Sequence, residues 1–358
     1  MKKRIVGIDV ARALAVMGMI IVNFRIVFGE SGSNWLRNIS HLFDGKAAAT
    51  FVVLAGVGLA LISNSAIKNQ DREKLNIIRK KIMLRAAFLF VVGLSYIWIW
   101  PADILHFYGV YMILTVWLIN KRPQQILIAT IGLILLYPLL MTLLDYETGW
   151  DFTTLEYLDL WTLEGFIRNL FYNGFHPVIP WAAFIFFGLW YGKQDLNDNQ
   201  FVKNSLKVSS LVFVATQLVS IGLIHFLSQE NYSDKQDLTS IFGTSPMPPL
   251  PIYMISGISV SVIIISACIL LAQRYENHAI ISALHKTGQL ALTFYVGHVV
   301  IGMGIVEELT SQPLSSFSIE FSTLYALIFS ACCILFAVVW LKYNTQGPLE
   351  WVMRKLLN

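Results

Sequence analysis

The feature that most restricts the fold of this chain is a series of ten runs of mostly apolar residues, each about as long as the 20 residues that a helix needs to cross a bilayer. The composition agrees, because only 13% of the 358 residues are charged, against about 25% in soluble domains. The sequence therefore predicts an all-α polytopic integral membrane protein with ten transmembrane helices, at residues 10–29, 46–64, 82–100, 103–120, 124–144, 177–193, 206–227, 250–272, 288–306 and 321–341.

The distribution of basic residues predicts the orientation of these spans. With the MKKR start in the cytoplasm, 21 of the 26 Lys and Arg residues fall on the cytoplasmic side, and the remainder are Arg25, Arg37, Lys46, Arg168 and Lys235. An even number of spans then puts both termini in the cytoplasm and the protein in the cytoplasmic membrane. Membrane orientation explains the net charge of +4, so no nucleic acid partner is predicted. The third and fourth spans, joined by a very short turn around Trp100, are expected to form a tight antiparallel pair.

Polar side chains run along one face of the first span. Asp9 and Arg12 are three residues apart and can pair. Asn23 follows eleven residues after Arg12, almost three whole turns, and so lies on the same face about 16 Å further along. Ionisable residues within a span are functional-site candidates by default. The alternative is a polar stripe that hydrogen-bonds to neighbouring helices.

Three ionisable residues stand at the predicted outer start of the second span, in HLFDGKAAATF. His41 and Asp44 have the i, i+3 spacing, and a carboxylate beside a neutral histidine is a common general-base arrangement. Lys46 completes the group. For Asp44 the alternative is an N-cap of the helix that follows it.

Two further histidines fall at the same predicted outer level. Asp103 and His106 are again three residues apart, in PADILHFYGVYM, and His176 precedes a proline in NGFHPVIPW, the segment that also holds Trp181. We expect His41, His106 and His176 to share an outward-facing polar cavity, with one of them acting as base.

Three further observations bear on the function: a histidine in the ninth span, the absence of several catalytic motifs, and a basic run at the start of the third span. His298 falls near the middle of the ninth span, where the alternatives are a ligand contact and a core histidine bonded to a neighbouring helix. The sequence has no phosphate loop, no GxSxG elbow and no Cys/His metal pattern, so no metal is predicted. The basic run from Arg79 to Arg85 suits lipid headgroups, and it also suits an anionic donor such as acyl-CoA.

Several segments, in chain order, resemble the YeiB-like family of bacterial membrane proteins: GIDVARALAVMGMIIVNF, FDGKAAATFVVLAGVGLAL, ADILHFYGVYM, HPVIPWAAFIFFGLWYG, GQLALTFYV and GPLEWVMR. The matches cover almost the whole chain, which we treat as a single domain, 1–358, with the family-like C-terminal half at about 160–358. The YeiB-like family is similar to the heparan-α-glucosaminide N-acetyltransferase group and to a broader set of transmembrane acyltransferases. The resemblance implies transfer of an acyl group, commonly acetyl, from cytosolic acyl-CoA to a sugar or related acceptor outside.

The resemblance also implies roles for residues of the first two spans. Arg12 matches an arginine of the first span in the broader acyltransferases. At the position where many of them have a histidine this chain has Asn23, and in this replacement of the histidine it is similar to the heparan acetyltransferase group. That group uses a histidine in the outer loop ahead of the second span. His41 is the histidine of this chain in that segment.

Our hypothesis is a membrane acyltransferase with His41 as general base, oriented by Asp44 or Asp103. The tetrahedral oxyanion would take hydrogen bonds from one or more of three donors, Asn23, Lys46 or His106. The expected catalytic residues are His41, Asp44, Asp103 and His106, and the expected substrate- or donor-binding residues are Asp9, Arg12, Asn23, Lys46, His176, Trp181 and His298.

The expected partners are the lipid bilayer, acyl-CoA (acetyl-CoA) as co-substrate, a glycan or cell-envelope acceptor and, as an open option, a second copy of the chain in a homodimer. The main alternative is a transporter or exporter of a small solute that uses the same polar cavity. A signalling or scaffold protein without turnover is the second alternative.

Overall fold

The computed structural model describes residues 4–229, 234–310 and 314–357, and over these ranges the chain is mostly helical. Within them the only paired strands are β1 (Trp150–Asp151) and β2 (Glu156–Tyr157), which form a two-residue antiparallel ladder. The predicted all-α class is confirmed. Lys2 and Lys3, which contributed to the orientation argument, lie outside the described residues.

Sixteen α-helices follow one another over the described ranges: α1 (Val6–Phe28), α2 (Asn34–His41), α3 (Lys46–Lys68), α4 (Arg72–Ser95), α5 (Leu105–Leu118), α6 (Pro123–Leu143), α7 (Leu163–Arg168), α8 (Val178–Gly192), α9 (Asn199–Gln229), α10 (Lys235–Phe242), α11 (Pro251–Arg274), α12 (Ala279–Gln289), α13 (Ala291–Gly297), α14 (Gly304–Leu309), α15 (Ile319–Tyr343) and α16 (Pro348–Leu357). Two π-helices, Asn169–Asn173 and His298–Met303, continue α7 and α13, and Leu314–Ser316 form a 3-10 turn.

Seven helical segments in the described part of the chain are long and apolar enough to cross a membrane, or eight if α7 and its π-helix form one bent span with α8. The chain is therefore a multi-pass membrane protein. The predicted number of ten spans is not reproduced. The N-terminal half of α4 carries many charged residues, and the 14 residues of α5 rise only about 21 Å, against about 30 Å of hydrocarbon.

The chain divides into two compact units, of which the first comprises Met1–Phe51, Asn197–Val208 and Val260–Asn358. In this unit α1 packs against α12 and α15, and α12 also packs against α15. The rings of Phe24 in α1 and Tyr325 in α15 lie 5.1 Å apart, and Phe24 is fully buried. This apolar contact fixes the C-terminal half of α1, which carries several candidate site residues.

The tail motif GPLEW holds the start of α13 in the first unit. Oε1 of Glu350 accepts hydrogen bonds from the backbone N–H groups of Leu292, at 2.9 Å, and Thr293, at 3.2 Å. The hydroxyl of Thr293 donates to the other oxygen at 2.5 Å. A carboxylate that caps exposed N–H groups at a helix N-terminus stabilises the helix. The GPLEW and GQLALTFYV motifs therefore meet in a structural contact.

The second unit comprises Val52–Leu196 and Ser209–Ser259. Its α4 and α5 pack closely along each other, and α8 packs against α5 and α6. A Cβ atom at Gly109 in α5 would lie 2.6 Å from the carbonyl oxygen of Ala86 in α4, so the two backbones touch. The predicted pairing of the third and fourth spans is confirmed, although the connection between them is longer than predicted and covers residues 96–104.

Candidate functional site

A buried arginine organises a polar cluster at the C-terminal end of α1, in the first unit. The side chain of Arg25 is only 5% exposed. Its Nη1 lies 2.5 Å from Nδ1 of His41, and its Nη2 donates to Oδ1 of Asp44 at 2.6 Å. The guanidinium also lies 3.4 Å from the hydroxyl of Ser40 and 3.7 Å from Oε2 of Glu30. We call these five residues the Arg25 cluster.

The imidazole of His41 has two competing partners at one nitrogen. Its Nδ1 lies 2.7 Å from Oδ2 of Asp44 as well as 2.5 Å from the guanidinium of Arg25. A guanidinium only donates hydrogen bonds and an ionised carboxylate only accepts them, so Nδ1 can bond with one of the two at a time. When Nδ1 carries the proton and donates it to Asp44, Nε2 has the lone pair of a general base. When Nε2 carries the proton, Nδ1 accepts from Arg25, and Nε2 has no lone pair with which to act as a base.

The carboxylate of Asp44 contacts a different residue of the cluster with each of its oxygens. One oxygen accepts from Arg25, and the other lies 2.7 Å from Nδ1 of His41. The Nζ atom of Lys46 lies 3.5 Å from the backbone carbonyl of Asp44, at the edge of the cluster. The predicted contact between His41 and Asp44 is thus present, while the catalytic roles stay predictions.

A second cluster of the first unit surrounds the buried carboxylate of Asp9 near the start of α1. Arg4 donates to both oxygens, at 2.6 and 3.0 Å, and Arg12 donates to Oδ1 at 2.6 Å. Nδ1 of His285 in α12 lies 3.2 Å from Oδ2. The predicted pairing of Asp9 with Arg12 is confirmed. One carboxylate faces two guanidinium groups, so the cluster keeps an excess of positive charge.

The third predicted polar residue of α1 bonds elsewhere. The side-chain amide of Asn23 lies 2.8 Å from Nε2 of His298, which is fully buried. His298 is the first residue of the π-helix that continues α13. These contacts join α1 to other helices at two levels, through Asp9 and through Asn23, as the structural alternative for the polar stripe predicts. Their proposed binding roles are not tested by this geometry.

In the second unit Asp103 and His106 lie together at the start of α5. Asp103 is fully buried, and its Oδ1 accepts from the hydroxyl of Tyr96 at 2.6 Å. Its Oδ2 accepts from the backbone N–H of Leu105 at 2.7 Å and lies 3.4 Å from Nδ1 of His106. The short bonds are those of a helix-capping carboxylate, and the contact with His106 is the longest of the set.

His176 and Trp181 also meet in the second unit, where the chain breaks between the π-helix and α8. Their ring centres are 4.5 Å apart with an interplanar angle of 77°. Trp181 is fully buried, and neither its Nε1 nor Nδ1 of His176 has a hydrogen-bond partner among the described residues. The ring of Phe107 lies 3.9 Å from that of His106 and 6.1 Å from that of His176, so it contacts both histidines.

The structure groups the predicted residues into five sets of contacts: His41 with Asp44 and Lys46, Asp9 with Arg12, Asn23 with His298, Asp103 with His106, and His176 with Trp181. It adds three residues that sequence reasoning did not assign to a site, namely Arg25, Arg4 and His285. His41 belongs to the first unit and His106 and His176 to the second, so the cavity predicted for the three histidines stays a prediction. Arg25 was counted only as an outer basic residue. A charged residue inside the predicted span 10–29 is itself a functional-site signal, and applying that rule to Arg25 would have found the cluster. Over the described ranges no group of three or more His, Cys, Asp or Glu side chains could hold a metal ion.

Comparisons with known families connect these clusters to a function. Residues 4–229, more than half of the chain, match the family model described as heparan-alpha-glucosaminide N-acetyltransferase, catalytic. The chain belongs to this family. Residues 191–358 match a second model, described as a protein of unknown function (DUF418), and together the two matches confirm the YeiB-like resemblance. No curated protein matches the chain significantly. Family membership indicates a membrane acetyltransferase-type function, and the matched range contains the Arg25 cluster.

Proposed function

We propose that the protein is a membrane acyltransferase that moves an acetyl group from acetyl-CoA to a hydroxyl or amine of a glycan or cell-envelope acceptor. The observation that carries the proposal is the Arg25 cluster, because it gives an imidazole a carboxylate partner inside the range that matches an acetyltransferase catalytic domain. In the proposed topology the protein spans the cytoplasmic membrane, both termini are cytoplasmic, and His41 lies at the outer side.

The proposed reaction uses His41 in the tautomer that donates Nδ1–H to Asp44. Nε2 then removes the proton from the acceptor as its oxygen or nitrogen attacks the thioester carbonyl. The tetrahedral oxyanion collapses, the carbon–sulfur bond breaks, and the leaving CoA sulfur takes the proton from the imidazolium. General-base catalysis of this kind contributes about 10²–10⁴-fold to a rate. Lys46, whose backbone begins α3 beside Asp44, is the proposed donor to the oxyanion in the first unit, with Asn23 as the second candidate.

The Asp9 cluster is the proposed contact for the phosphates of the donor. Asp9 holds Arg4 and Arg12 in place, and the side chains of these two arginines are 59% and 26% exposed. Guanidinium groups bind phosphate oxygens through paired, charge-assisted hydrogen bonds. His285 lies on the same carboxylate and would add positive charge when protonated.

The experiment compares His41→Ala with His225→Ala, a change at an exposed histidine of α9, in protein reconstituted into lipid nanodiscs. Binding of radiolabelled acetyl-CoA and release of CoA thiol are measured with an α-glucosaminide and with envelope glycans as acceptors. We expect saturable acetyl-CoA binding by the unmodified protein and by both variants. The rate of CoA release should fall by at least about 100-fold in His41→Ala alone.

Two results would contradict different parts of the proposal. Unchanged CoA release by His41→Ala would remove His41 as the base while leaving the transferase intact. Absence of saturable acetyl-CoA binding by the unmodified protein would contradict the transferase itself and favour the small-solute transporter.

A further inference from the structure

The segment that carries His176 breaks a helix within a span of the second unit. The part that ends at Asn173 and the part that begins at Val178 differ in direction by 46°. Ile179 also has non-helical backbone angles, φ −101° and ψ 114°. Non-helical backbone at membrane depth is tolerated where it is buried in protein or lines a polar cavity. Broken helices of this kind form the ligand sites of many membrane proteins.

Hydrogen bonds fix the N-terminal side of this break. The side-chain amide of Asn173 donates to the backbone carbonyls of Tyr146, at 2.8 Å, and Thr148, at 2.9 Å, and its oxygen accepts from the hydroxyl of Tyr157 at 2.7 Å. Burial raises the pKa of the Tyr157 hydroxyl, so that hydroxyl stays a donor at neutral pH. The hydroxyl of Tyr111 in α5 donates to the backbone carbonyl of His176. These hydrogen bonds therefore stabilise the non-helical backbone at the break.

Two polar atoms remain without partners inside this fixed frame. Trp181 has no exposed surface, yet its Nε1–H donates to none of the described residues. The ring centre of His176 lies 4.5 Å from that of Trp181, and Nδ1 of His176 is also buried without a hydrogen-bond partner among the described residues. A buried polar group left unsatisfied is destabilising, and in native proteins most such groups have a hydrogen-bond partner. A partner that is not part of the chain would account for both.

We infer that the break is a binding site for a hydroxyl group of an uncharged ligand, held between Trp181 and His176. The indole N–H can only donate and Nδ1 of a neutral imidazole can accept, and a hydroxyl group, which both accepts and donates, satisfies both at once. Two hydrogen bonds of about 2.9 Å that meet at the roughly tetrahedral angle of a hydroxyl oxygen join nitrogens about 4.7 Å apart, which is comparable to the 4.5 Å between the two ring centres.

An uncharged ligand suits the surroundings better than an anion. The buried carboxyl group of Asp103 lies 3.4 Å from Nδ1 of His106, and the Phe107 ring packs against His106, at 3.9 Å, and against His176, at 6.1 Å. A phosphate or carboxylate at the break would have a second acidic group nearby. The hydroxyl belongs either to a sugar that enters from water or to the headgroup of an uncharged lipid such as diacylglycerol. This site goes beyond the proposed transferase function, because its chemistry holds whether or not His41 is the base.

The experiment observes the indole N–H of Trp181 directly. Protein with ¹⁵N-labelled tryptophan in nanodiscs gives an indole signal that Trp181→Phe removes, which assigns it among the 10 tryptophans of the chain. One arm adds methyl α-glucoside and its fully O-methylated analogue to the aqueous phase. The other arm places dioleoylglycerol, or its O-methyl ether, in the lipid.

We expect the Trp181 signal to shift with a saturable dependence on one hydroxyl probe and not on the matched ether. The arm that responds identifies a sugar or a lipid hydroxyl as the ligand group. Trp181→Phe and His176→Asn should each weaken binding, measured from a second reporter resonance, by about tenfold, the value of one lost hydrogen bond. Trp98→Phe, a change at an indole that is 74% exposed, should leave binding unchanged.

Three results would overturn the inference. The first is a Trp181 signal that no hydroxyl probe moves, with solvent exchange that indicates a permanently bound water as the partner. The second is an equal response to a hydroxyl probe and its ether. The third is unchanged affinity in His176→Asn, the variant that keeps the Trp181 reporter if Trp181→Phe fails to fold.

Discussion

Removal of the Arg25 guanidinium is the sharpest test of how the Arg25 cluster is held together. Arg25→Met keeps an unbranched side chain of about the size of the arginine's apolar stem and removes the guanidinium contacts with His41 and Asp44, at 2.5 and 2.6 Å. A hydrogen bond to a charged group contributes about 1.5–3 kcal/mol, and breaking a fully buried ion pair costs about 3–5 kcal/mol. Because the side chain of Asp44 is 22% exposed and can recruit water, we expect the free energy of unfolding to fall by about 2 kcal/mol.

A double-mutant cycle separates the Arg25–Asp44 pair from other effects of the substitution. The free energies of unfolding of Arg25→Met, Asp44→Asn and the double variant are measured by denaturant titration in lipid–detergent micelles, with tryptophan fluorescence as the signal. We expect a coupling energy of about 1–2 kcal/mol. Arg37→Met, a change in the neighbouring α2, serves as the control and should alter stability by less than about 0.5 kcal/mol. Additive single effects would refute the pairing.

Three further predictions use the same measurement of unfolding free energy. Asn23→Leu should lose about 1 kcal/mol, because His298 loses its helix-to-helix bond, and an unchanged stability would show that the bond contributes nothing. Gly109→Ala should lower the free energy of unfolding by about 1–3 kcal/mol, because the new Cβ would lie 2.6 Å from a backbone oxygen of α4. The control is Gly132→Ala, where a Cβ would have no atom within 4 Å, and it should be neutral or stabilising. Equal effects of the two substitutions would contradict the close packing of α4 and α5. Asp103→Leu should cost at least about 2 kcal/mol, because it leaves buried donors of α5 unpaired, and a smaller loss would refute the cap.

Interactions between residues close in sequence were predictable, because local chain geometry decides them. The contact of Asp9 with Arg12 follows from a separation of three residues within α1, and His41 and Asp44 have the same separation where α2 ends in a turn. The bonds of Asn23 with His298 and of Arg25 with Asp44 depend on which helices pack together, and one sequence does not contain that information.

The number of spans illustrates a second limit of sequence reasoning. Hydropathy finds each apolar run but gives neither the end of a helix nor its tilt. The predicted third span began inside α4, whose charged first half extends the helix back to Arg72, and the fourth coincides with the short α5. The distinctive GPLEW tail marked a structural cap on α13, so a specific motif need not mark chemistry.

The π-helix at His298–Met303 has a consequence for how this chain is compared with its relatives. A π turn contains about one residue more than an α turn, and each residue of an α-helix turns the chain by about 100°. The face that α14 presents, with Val306 buried, is therefore rotated by about 100° from a regular continuation of α13. Deleting one residue between His298 and Met303 would restore a regular helix and turn a different set of side chains inward. A relative that lacks this residue should be aligned with a gap here, since an ungapped alignment would equate residues that face different surroundings.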